Sequence, residues 1–228
     1  MPALVVSPHL DDAVFSCGEL LAARPGSVVV TVLAGLPPAG APAPPWDAAA
    51  GFAEARQAVL ARREEDRAAL AMLDAEAVWM PFLDGQYGAA APVAALAAAL
   101  ALAVAERPGL QVVAPAGIHH SDHFLVHEAC ARVWAALHRP GTPWLFYEDA
   151  IHRRVAGETQ LRLSRWRQAG VLASAARLGA GAGDAAASAT LCKARAVTAY
   201  ASQLPLFSAA QLADLAAPER YWRWHRRA

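Results

Sequence analysis

Two short polar clusters in this chain carry residue types that bind divalent metal ions. One is PHLDD at residues 8–12, which contains His9, Asp11 and Asp12, and the other is HHSDH at residues 119–123. Neighbouring carboxylates repel each other and are costly to bury unless positive charge lies beside them. Zinc takes nitrogen and oxygen ligands, and catalytic zinc sites keep one position open for water. The clusters therefore predict a site of two histidines and one carboxylate.

The spacing leaves open which histidine of the second cluster binds the metal. On a helix, His119 and His123, or His123 and His127, would share a face because each pair is four residues apart. Only His123 belongs to both pairs, so it is our first choice. His138 and His152 lack a carboxylate context, and we expect them at the surface. The remaining aspartates are candidates for a general base or for groups that orient an imidazole.

Helix capping is the simpler explanation of each cluster taken alone. Asp11 or Asp12 would cap a helix that begins there, and Ser121 or Asp122 would cap a second one. Capping does not account for the histidines that gather in the second cluster. We therefore favour the metal site.

The hydrophobic pattern predicts the scaffold that must position these clusters. Strand-like and helical segments alternate, which indicates an α/β fold: a Rossmann-like sheet, mostly parallel, with helices on both faces. In such folds ligands bind beyond the carboxyl ends of the strands. Each cluster follows a predicted strand, so both should lie at one edge of the sheet. We expect strands at 3–6, 27–34, 78–82, 110–117 and 143–150, and helices at 12–23, 53–73, 89–105 and after 120.

Composition indicates a compact globular protein, and we expect one domain spanning residues 1–228. Hydrophobic residues make up 56% and charged residues 18%, with a formal net charge of zero. That balance argues against nucleic acid or an acidic membrane surface as a partner. Residues 89–105 are uncharged, but their alanine content and the helical spacing of the larger apolar residues predict a helix packed on the sheet, not a membrane span. The basic, aromatic segment 220–227 is expected to form a terminal strand or tail.

The cysteines and the first residues bear on the compartment. Cys17, Cys130 and Cys192 lie far apart and form no CxxC motif. This spacing does not indicate a disulfide framework. The first residues lack a basic segment, and we expect no signal peptide. We therefore expect a reducing, cytoplasmic location.

Two loops are candidates for covering the site. Residues 36–46 are rich in proline and cannot form regular structure. Trp46, at the end of this loop, would cover the face of a bound ligand or anchor the loop. Residues 173–190 are rich in small residues, and we expect a surface loop or a lid there. The sequence does not decide which of these segments covers the site.

Taken together, PHLDD (8–12) and HSDH (120–123) resemble the paired signature of the LmbE/PIG-L family of zinc-dependent N-acetylglucosamine-type deacetylases. Supporting features also resemble the family: LDG at 83–85, YED at 147–149 and KARAVTAYASQ at 193–203. Arg62-x-x-Glu65 resembles a further family segment. The resemblance spans most of the chain.

The resemblance implies that His9, Asp12 and His123 bind Zn²⁺, with another divalent ion such as Fe²⁺ as an option. It implies a hydrolase that removes an N-acetyl or other N-acyl group from a small-molecule amino sugar or glycoconjugate. Zinc lowers the pKa of bound water to about 7 and polarises the amide carbonyl. A homo-oligomer is possible, and the acyl group and sugar are open.

The resemblance also assigns roles to residues that would not bind the metal. Asp11 would be the general base, and His120 would stabilise the developing oxyanion as an imidazolium. Asp122 would hold the ring of His120 in position. Arg62 and Asp84 would contact sugar hydroxyls.

Two positions depart from the family pattern PHPDDE. Leu10 replaces the second proline, and Ala13 replaces the glutamate, which removes a carboxylate beside the site. The alternative reading is a catalytically silent carbohydrate- or metal-binding module on the same fold. The intact Asp11, His120 and Asp122 speak against it, because binding needs neither a base nor an oxyanion group. A two-metal phosphoesterase would need more ligands than one His/Asp/His set.

Overall fold

Seven strands form one sheet in the computed structural model, which describes residues 1–137, 144–176 and 184–226. The strands are Ala3–Ser7 (β1), Ser27–Thr31 (β2), Ala75–Trp79 (β3), Gln111–Pro115 (β4), Leu145–Tyr147 (β5), Val171–Ala176 (β6) and Tyr221–Arg226 (β7). The α-helices are Asp12–Ala22 (α1), Pro45–Ala49 (α2), Ala55–Ala71 (α3), Val93–Ala105 (α4), Ser121–Leu137 (α5), Glu158–Gln168 (α6), Asp184–Val197 (α7) and Ala209–Leu215 (α8).

The strand order across the sheet is β3-β2-β1-β4-β5-β7-β6. The first five strands in this order are parallel, and β7 runs antiparallel to both β5 and β6. The mostly parallel α/β sheet is therefore confirmed. The chain leaves β1 towards β2 on one side and later adds β4 on the other side. The boundary between β1 and β4 is thus a topological switch point, where open α/β sheets form their ligand crevice.

Apolar side chains cover both faces of the sheet, as expected for strands packed under helices on each side. Every residue of β1, β2 and β4 is buried. Leu4 and Val6 pack with α4 and α5 on one face, whereas Ala3 and Val5 pack with α1, α3 and α7 on the other. This alternation along β1 follows from the two-residue period of a strand. The scaffold that ends in the first polar cluster is therefore fixed from both sides.

Several segments differ from the sequence-based expectation. The proline-rich segment was expected to be irregular, but it ends in the short helix α2, which has Pro45 in its first turn. Proline is tolerated there because the first N–H groups of a helix have no intrahelical partner. Residues 173–176 belong to β6 and residues 184–190 to α7, so a loop over 173–190 is wrong for these parts. Residues 177–183 lie outside the described residues.

The basic aromatic segment near the end of the sequence forms a strand inside the sheet. β7 separates β5 from β6, and Tyr221 and Trp224 are buried. The Trp224 ring stacks on Phe146 with centroids 3.8 Å apart. The expected terminal strand is therefore present, and its aromatic residues serve packing.

Helix α1 contains a kink that a distant carboxylate stabilises. Cys17 has non-helical backbone angles (φ −136°, ψ 16°). The N–H groups of Glu19 and Leu20, just after the kink, donate to the two carboxylate oxygens of Glu219 at 2.8 and 3.1 Å. Lys193 Nζ donates to the same carboxylate at 2.9 Å, and both of these side chains are buried. Glu219 thus caps the second half of α1 and ties it to α7 and to the start of β7.

In the described part of the chain, no helix has the length and apolar character needed to cross a membrane. The uncharged segment 89–105 was expected to form a helix packed on the sheet, and it contains α4, which has 13 residues. Its Leu96, Leu100 and Ala103 are buried against the sheet.

Candidate active site

A cavity of about 750 Å³ opens beyond the carboxyl ends of β1 and β4. The loop after β1 brings PHLDD to its wall, and the loop after β4 together with the first turn of α5 brings HSDH. The two clusters therefore meet at one edge of the sheet, as their positions after predicted strands indicated. Asp11 occupies the N-cap position of α1 but makes no side-chain capping bond, so capping does not account for this aspartate.

Ligand atoms of His9, Asp12 and His123 converge tightly enough to hold one metal ion. All of these atoms lie within 4.8 Å of one another. Asp12 Oδ2 is 3.2 Å from His9 Nδ1 and 3.3 Å from His123 Nε2. Tetrahedral zinc with bonds of about 2.0–2.1 Å places its ligand atoms about 3.4 Å apart. The spacing and the nitrogen and oxygen donors therefore fit zinc.

Negative charge surrounds His9 and favours a cation at this place. Burial lowers the pKa of His9, but the carboxylates of Asp84, Asp12 and Asp122 outweigh burial and raise that pKa well above its ordinary value. Burial raises the pKa of Asp12, and the neighbouring His123 and His9 reverse this effect and lower it. Carboxylates that stabilise a proton on an imidazole will also stabilise a metal ion bound by the same imidazole.

Asp122 makes a contact that sequence reasoning did not predict. Its Oδ2 accepts hydrogen bonds from His9 Nε2 at 3.1 Å and from the Gly85 N–H at 3.0 Å. A Cβ at Gly85 would lie 2.7 Å from Asp122 Oδ1, so this close approach requires glycine. The Asp122 carboxylate thus holds His9, whereas the expectation was that it would hold His120. Ligand atoms of His9, His120 and Asp122 also lie within 4.8 Å of one another, so His9 belongs to both donor groups.

The backbone of Asp122, not its side chain, orients His120. The Asp122 N–H donates to His120 Nδ1 at 3.2 Å, which leaves the proton of a neutral ring on Nε2. Burial together with the nearby His9 and His123 lowers the pKa of His120. Both effects favour the neutral ring of His120, where the sequence-based expectation was an imidazolium.

Asp11 lies beside the metal-binding donors and keeps a high proton affinity. Burial raises the pKa of the Asp11 carboxyl, and the adjacent Asp12 carboxylate raises it further, to about 7. A pKa near neutrality suits a group that exchanges a proton during a reaction. Ala13, where the family pattern has glutamate, is buried among apolar residues of α1, so position 13 adds no carboxylate.

Arg62 and Asp84 both line the cavity, but their side chains already have protein partners. Arg62 is paired with the buried Asp47, whose other oxygen accepts from the Tyr87 hydroxyl at 2.6 Å. Asp84 caps the 3₁₀ turn Gly85–Tyr87 by accepting from the Gln86 N–H at 2.9 Å. The structure places both at the wall, and their contact with a sugar stays a prediction.

His152 was expected at the surface, and this expectation is wrong. It lines the cavity, and its ring centroid lies 4.6 Å from that of His123 and 5.6 Å from that of His120. Ile151, just before it, has a φ of 63°, which is unusual for a β-branched residue. The signal available in the sequence was that His152 closely follows the strand β5, which pairs with β4 at the same edge. His138 lies outside the described residues.

His127 has a structural role. It is buried, its Nδ1 donates to the Pro115 carbonyl at 2.9 Å, and Trp166 Nε1 donates to its Nε2 at 3.0 Å. Burial, with the Arg162 charge nearby, lowers its pKa to about 3. With both ring nitrogens occupied, His127 is not a metal ligand.

His123 forms a hydrogen bond to Asp149, a carboxylate outside both clusters, through the ring nitrogen that does not face Asp12. Its Nδ1 donates to Asp149 Oδ1 at 2.7 Å, and both side chains are buried. Asp149 is the last residue of the YED segment after β5. Sequence reasoning used this segment for the family resemblance but gave it no role.

Aromatic side chains from α2 and from the segment before α8 complete the cavity wall. Trp46 and Phe207 both line it, with ring centroids 5.9 Å apart. Trp46 Nε1 donates to Gln203 Oε1 at 2.9 Å. The proline-rich loop therefore reaches the site at Trp46, and no described residue of 173–190 is part of the wall.

Solved structures of deacetylases share this fold over nearly the whole chain. A triple mutant of a deacetylase of the teicoplanin biosynthetic pathway is 27% identical, with a TM-score of 0.75, covering 99% of this chain and 98% of that one. The deacetylase of the pseudoaglycone of the antimicrobial reagent A40926 is 26% identical, with a TM-score of 0.73. The match covers 100% of this chain and 98% of that one. The zinc-inhibited form of a teicoplanin deacetylase, 24% identical with a TM-score of 0.78 over 99% and 98%, shares the fold.

A search of curated proteins finds no match to this chain. The family model PIG-L, described as GlcNAc-PI de-N-acetylase, matches residues 4–134. That match includes both polar clusters and confirms the resemblance seen in their motifs. Because it covers more than half of the 228 residues, the chain belongs to the PIG-L family of de-N-acetylases.

Proposed function

We propose that this protein is a metal-dependent hydrolase that removes an N-acetyl or other N-acyl group from an amino sugar or glycoconjugate. One observation carries the proposal: the donors of His9, Asp12 and His123 share a cavity with Asp11, a carboxyl group whose pKa is raised to about 7. Amide hydrolysis needs both features. Water must lose a proton as it attacks, and the amine must gain one as it leaves.

Asp11 is the residue best suited to move that proton. Its carboxylate would accept the proton of the attacking water and return it to the leaving amine. A cation at the adjacent donors would lower the pKa of Asp11 and keep the carboxylate ionised at neutral pH. A zinc ion held by those donors would supply a Lewis acid that polarises the amide carbonyl and activates water.

His120 would stabilise the negative charge that develops on the carbonyl oxygen. Its Nε2 carries the proton because Nδ1 accepts the Asp122 N–H. A fixed N–H donor at such an oxygen is typically worth about 10²–10³ in kcat. A neutral donor also avoids placing a second positive charge beside the cation.

The cavity wall supports a glycoconjugate as the substrate class. A volume of about 750 Å³ lies within the usual range of small-molecule sites. Trp46 and Phe207 offer apolar faces, and Asp84 and Arg62 offer polar groups for hydroxyls at the same wall. Structural neighbours are deacetylases of the teicoplanin biosynthetic pathway, one of them solved as a complex with teicoplanin, and these neighbours support a small-molecule conjugate as the substrate.

The remaining features of the proposal rest on the sequence alone. The zero net charge disfavours nucleic acid as a partner. We keep a cytoplasmic location, a single domain over residues 1–228 and a homo-oligomer as proposals.

The decisive experiment measures acetate release from N-acetylglucosamine conjugates by metal-loaded protein. Zn²⁺ and Fe²⁺ should each be titrated from below one equivalent to excess, because a relative is known in a zinc-inhibited form. We expect about one metal ion per chain and metal-dependent acetate release, both lost in His123→Ala. Metal-loaded protein that binds these sugars but releases no acyl group would favour the silent binding module instead.

A further inference from the structure

Asp149 is a buried carboxylate in direct contact with the candidate metal site. It is 1% exposed, and each of its oxygens accepts one hydrogen bond. Oδ1 accepts from His123 Nδ1 at 2.7 Å, and Oδ2 accepts from the Ile118 N–H at 2.9 Å. These bonds join β5's carboxyl end to the helix and the loop that carry the second polar cluster.

The first of these bonds fixes which nitrogen of His123 faces the metal site. Donation from Nδ1 leaves the lone pair of a neutral ring on Nε2. Nε2 is the atom that lies 3.3 Å from Asp12 Oδ2, inside the donor set. A carboxylate partner of this kind also raises the basicity of the imidazole and prevents the ring from turning.

The second bond holds the loop that carries His120. Both backbone polar groups of Ile118 are hydrogen-bonded. Its N–H donates to Asp149, and its carbonyl accepts from the His120 N–H at 2.8 Å. Between them, His119 has a φ of 66°, a left-handed conformation that is uncommon outside glycine. Such a conformation persists only where surrounding contacts impose it.

We propose that Asp149 is a positioning residue that sets both the metal-binding tautomer of His123 and the conformation of the loop that presents His120. The inference rests on the metal site of the proposed function. It extends that function to a carboxylate beyond the matched family region, which ends at residue 134. The Asp149 side chain would then affect both the metal affinity, through His123, and the position of the His120 N–H donor.

Asp149→Asn tests the proposal because it keeps the shape and removes the charge. An amide accepts through only one atom, so one of the donors from His123 and Ile118 would face an NH₂ group. We expect the metal dissociation constant, measured by competition with a chelator, to rise about 10–100-fold. At saturating metal, kcat should also fall while KM for the sugar changes little, because the loop of His120 loses its support.

Asp66→Asn is the matched control. Asp66 is also buried and accepts from two donors, Trp79 Nε1 at 2.8 Å and the Tyr200 hydroxyl at 3.0 Å, but it does not touch the donor set. A merely structural role for Asp149 predicts equal effects of both variants on metal affinity. Unchanged affinity in Asp149→Asn, or an equal loss in Asp66→Asn, would overturn the proposal.

A measurement on the wild-type protein covers the case in which Asp149→Asn does not fold. Nitrogen NMR of the zinc-loaded protein should show His123 protonated at Nδ1, with His123→Ala used to assign the signal. If metal does not bind, the same tautomer is expected in the metal-free protein at alkaline pH. Protonation at Nε2 in either form would contradict the inference. Neither this readout nor the metal affinity depends on acetate release, so failure of the proposed deacetylase activity is seen separately.

Discussion

The Asp122 carboxylate accepts a hydrogen bond from His9 Nε2 at 3.1 Å, although 113 positions separate the two residues in the chain. This bond joins the two polar clusters directly. It also orients the ring so that His9 Nδ1 faces Asp12 at 3.2 Å. His9, the candidate metal ligand of the first cluster, therefore depends on an aspartate from the second cluster, just as His123 depends on Asp149.

Asp122→Asn should weaken this arrangement. The amide oxygen can take the place of Oδ2 and accept from both His9 Nε2 and the Gly85 N–H, but it carries no negative charge. The bond to His9 is therefore weaker, and the His9 ring is a less basic ligand. We expect metal affinity or kcat to fall about 10–100-fold, measured by chelator competition and by acetate release. Asp184→Asn, at an exposed position in the first turn of α7, should change neither quantity. Wild-type values in Asp122→Asn would show that the charge of the carboxylate is dispensable.

Asp11→Asn should separate metal binding from turnover. Asp11 is not one of the converging metal donors, so the metal content of the variant should equal that of the wild type. Without the carboxylate, the reaction loses its proton acceptor, and we expect kcat to fall about 10²–10⁴-fold. Metal analysis and acetate release on the same sample test this. Activity close to wild type would assign the base elsewhere.

His127 should make the stability of the fold depend on pH. Its folded-state pKa of about 3 lies below the ordinary value, so the unfolded chain binds the proton first. The contribution is complete above about pH 6.5 and is lost as pH falls towards 3, by about 1.4 kcal/mol per pH unit at most. His127→Gln keeps a donor for the Pro115 carbonyl and an acceptor for Trp166 Nε1 but does not titrate.

Urea unfolding at several pH values between 7 and 4 gives the comparison. We expect the wild type to lose more unfolding free energy than His127→Gln over this interval, because other histidines titrate equally in both proteins. Parallel curves would mean that the buried ring takes up a proton without unfolding.

Glu219→Gln should destabilise the fold without affecting the cavity. The substitution leaves Lys193 buried without its charged partner and weakens the cap on α1, which together cost about 3–5 kcal/mol. Glu64→Gln is the matched control, since Glu64 pairs with Arg67 at the surface with both side chains exposed. That exposed pair should contribute less than about 1 kcal/mol. Equal unfolding free energies for the two variants would contradict a role for the buried pair.

The strands and the two clusters were predictable because their signals are local. β1, β2 and β4 are short runs of apolar residues, and a parallel sheet places the residues that follow such runs at one edge. The metal donors His9, Asp12 and His123 follow from that rule and from the family motif. Their roles in binding and catalysis stay predictions.

The contacts of Asp149 and His152 were not predictable, because they depend on which strand neighbours which. Both residues follow β5, and only the pairing of β5 with β4 brings them beside His123. The pairing of Asp122 with His9 was not predictable either. An aspartate at this position is equally suited to cap a helix, to orient a ring or to bind a metal ion, and the sequence does not distinguish these roles. Side-chain partners across loops are set by tertiary packing, which spacing along the chain does not record.

The position of β7 in the sheet constrains the order in which the molecule can assemble. Among the strands that the structure describes, β6 pairs with β7 alone, and β7 joins it to β5. Until residues 221–226 have been synthesised and have docked, β6 has no route into the sheet and Glu219 cannot reach the kink in α1. The five parallel strands that present the metal donors can therefore form first. β7 and β6 would then complete the edge of the sheet beyond β5, and Glu219 would bond to the N–H groups that follow the kink in α1.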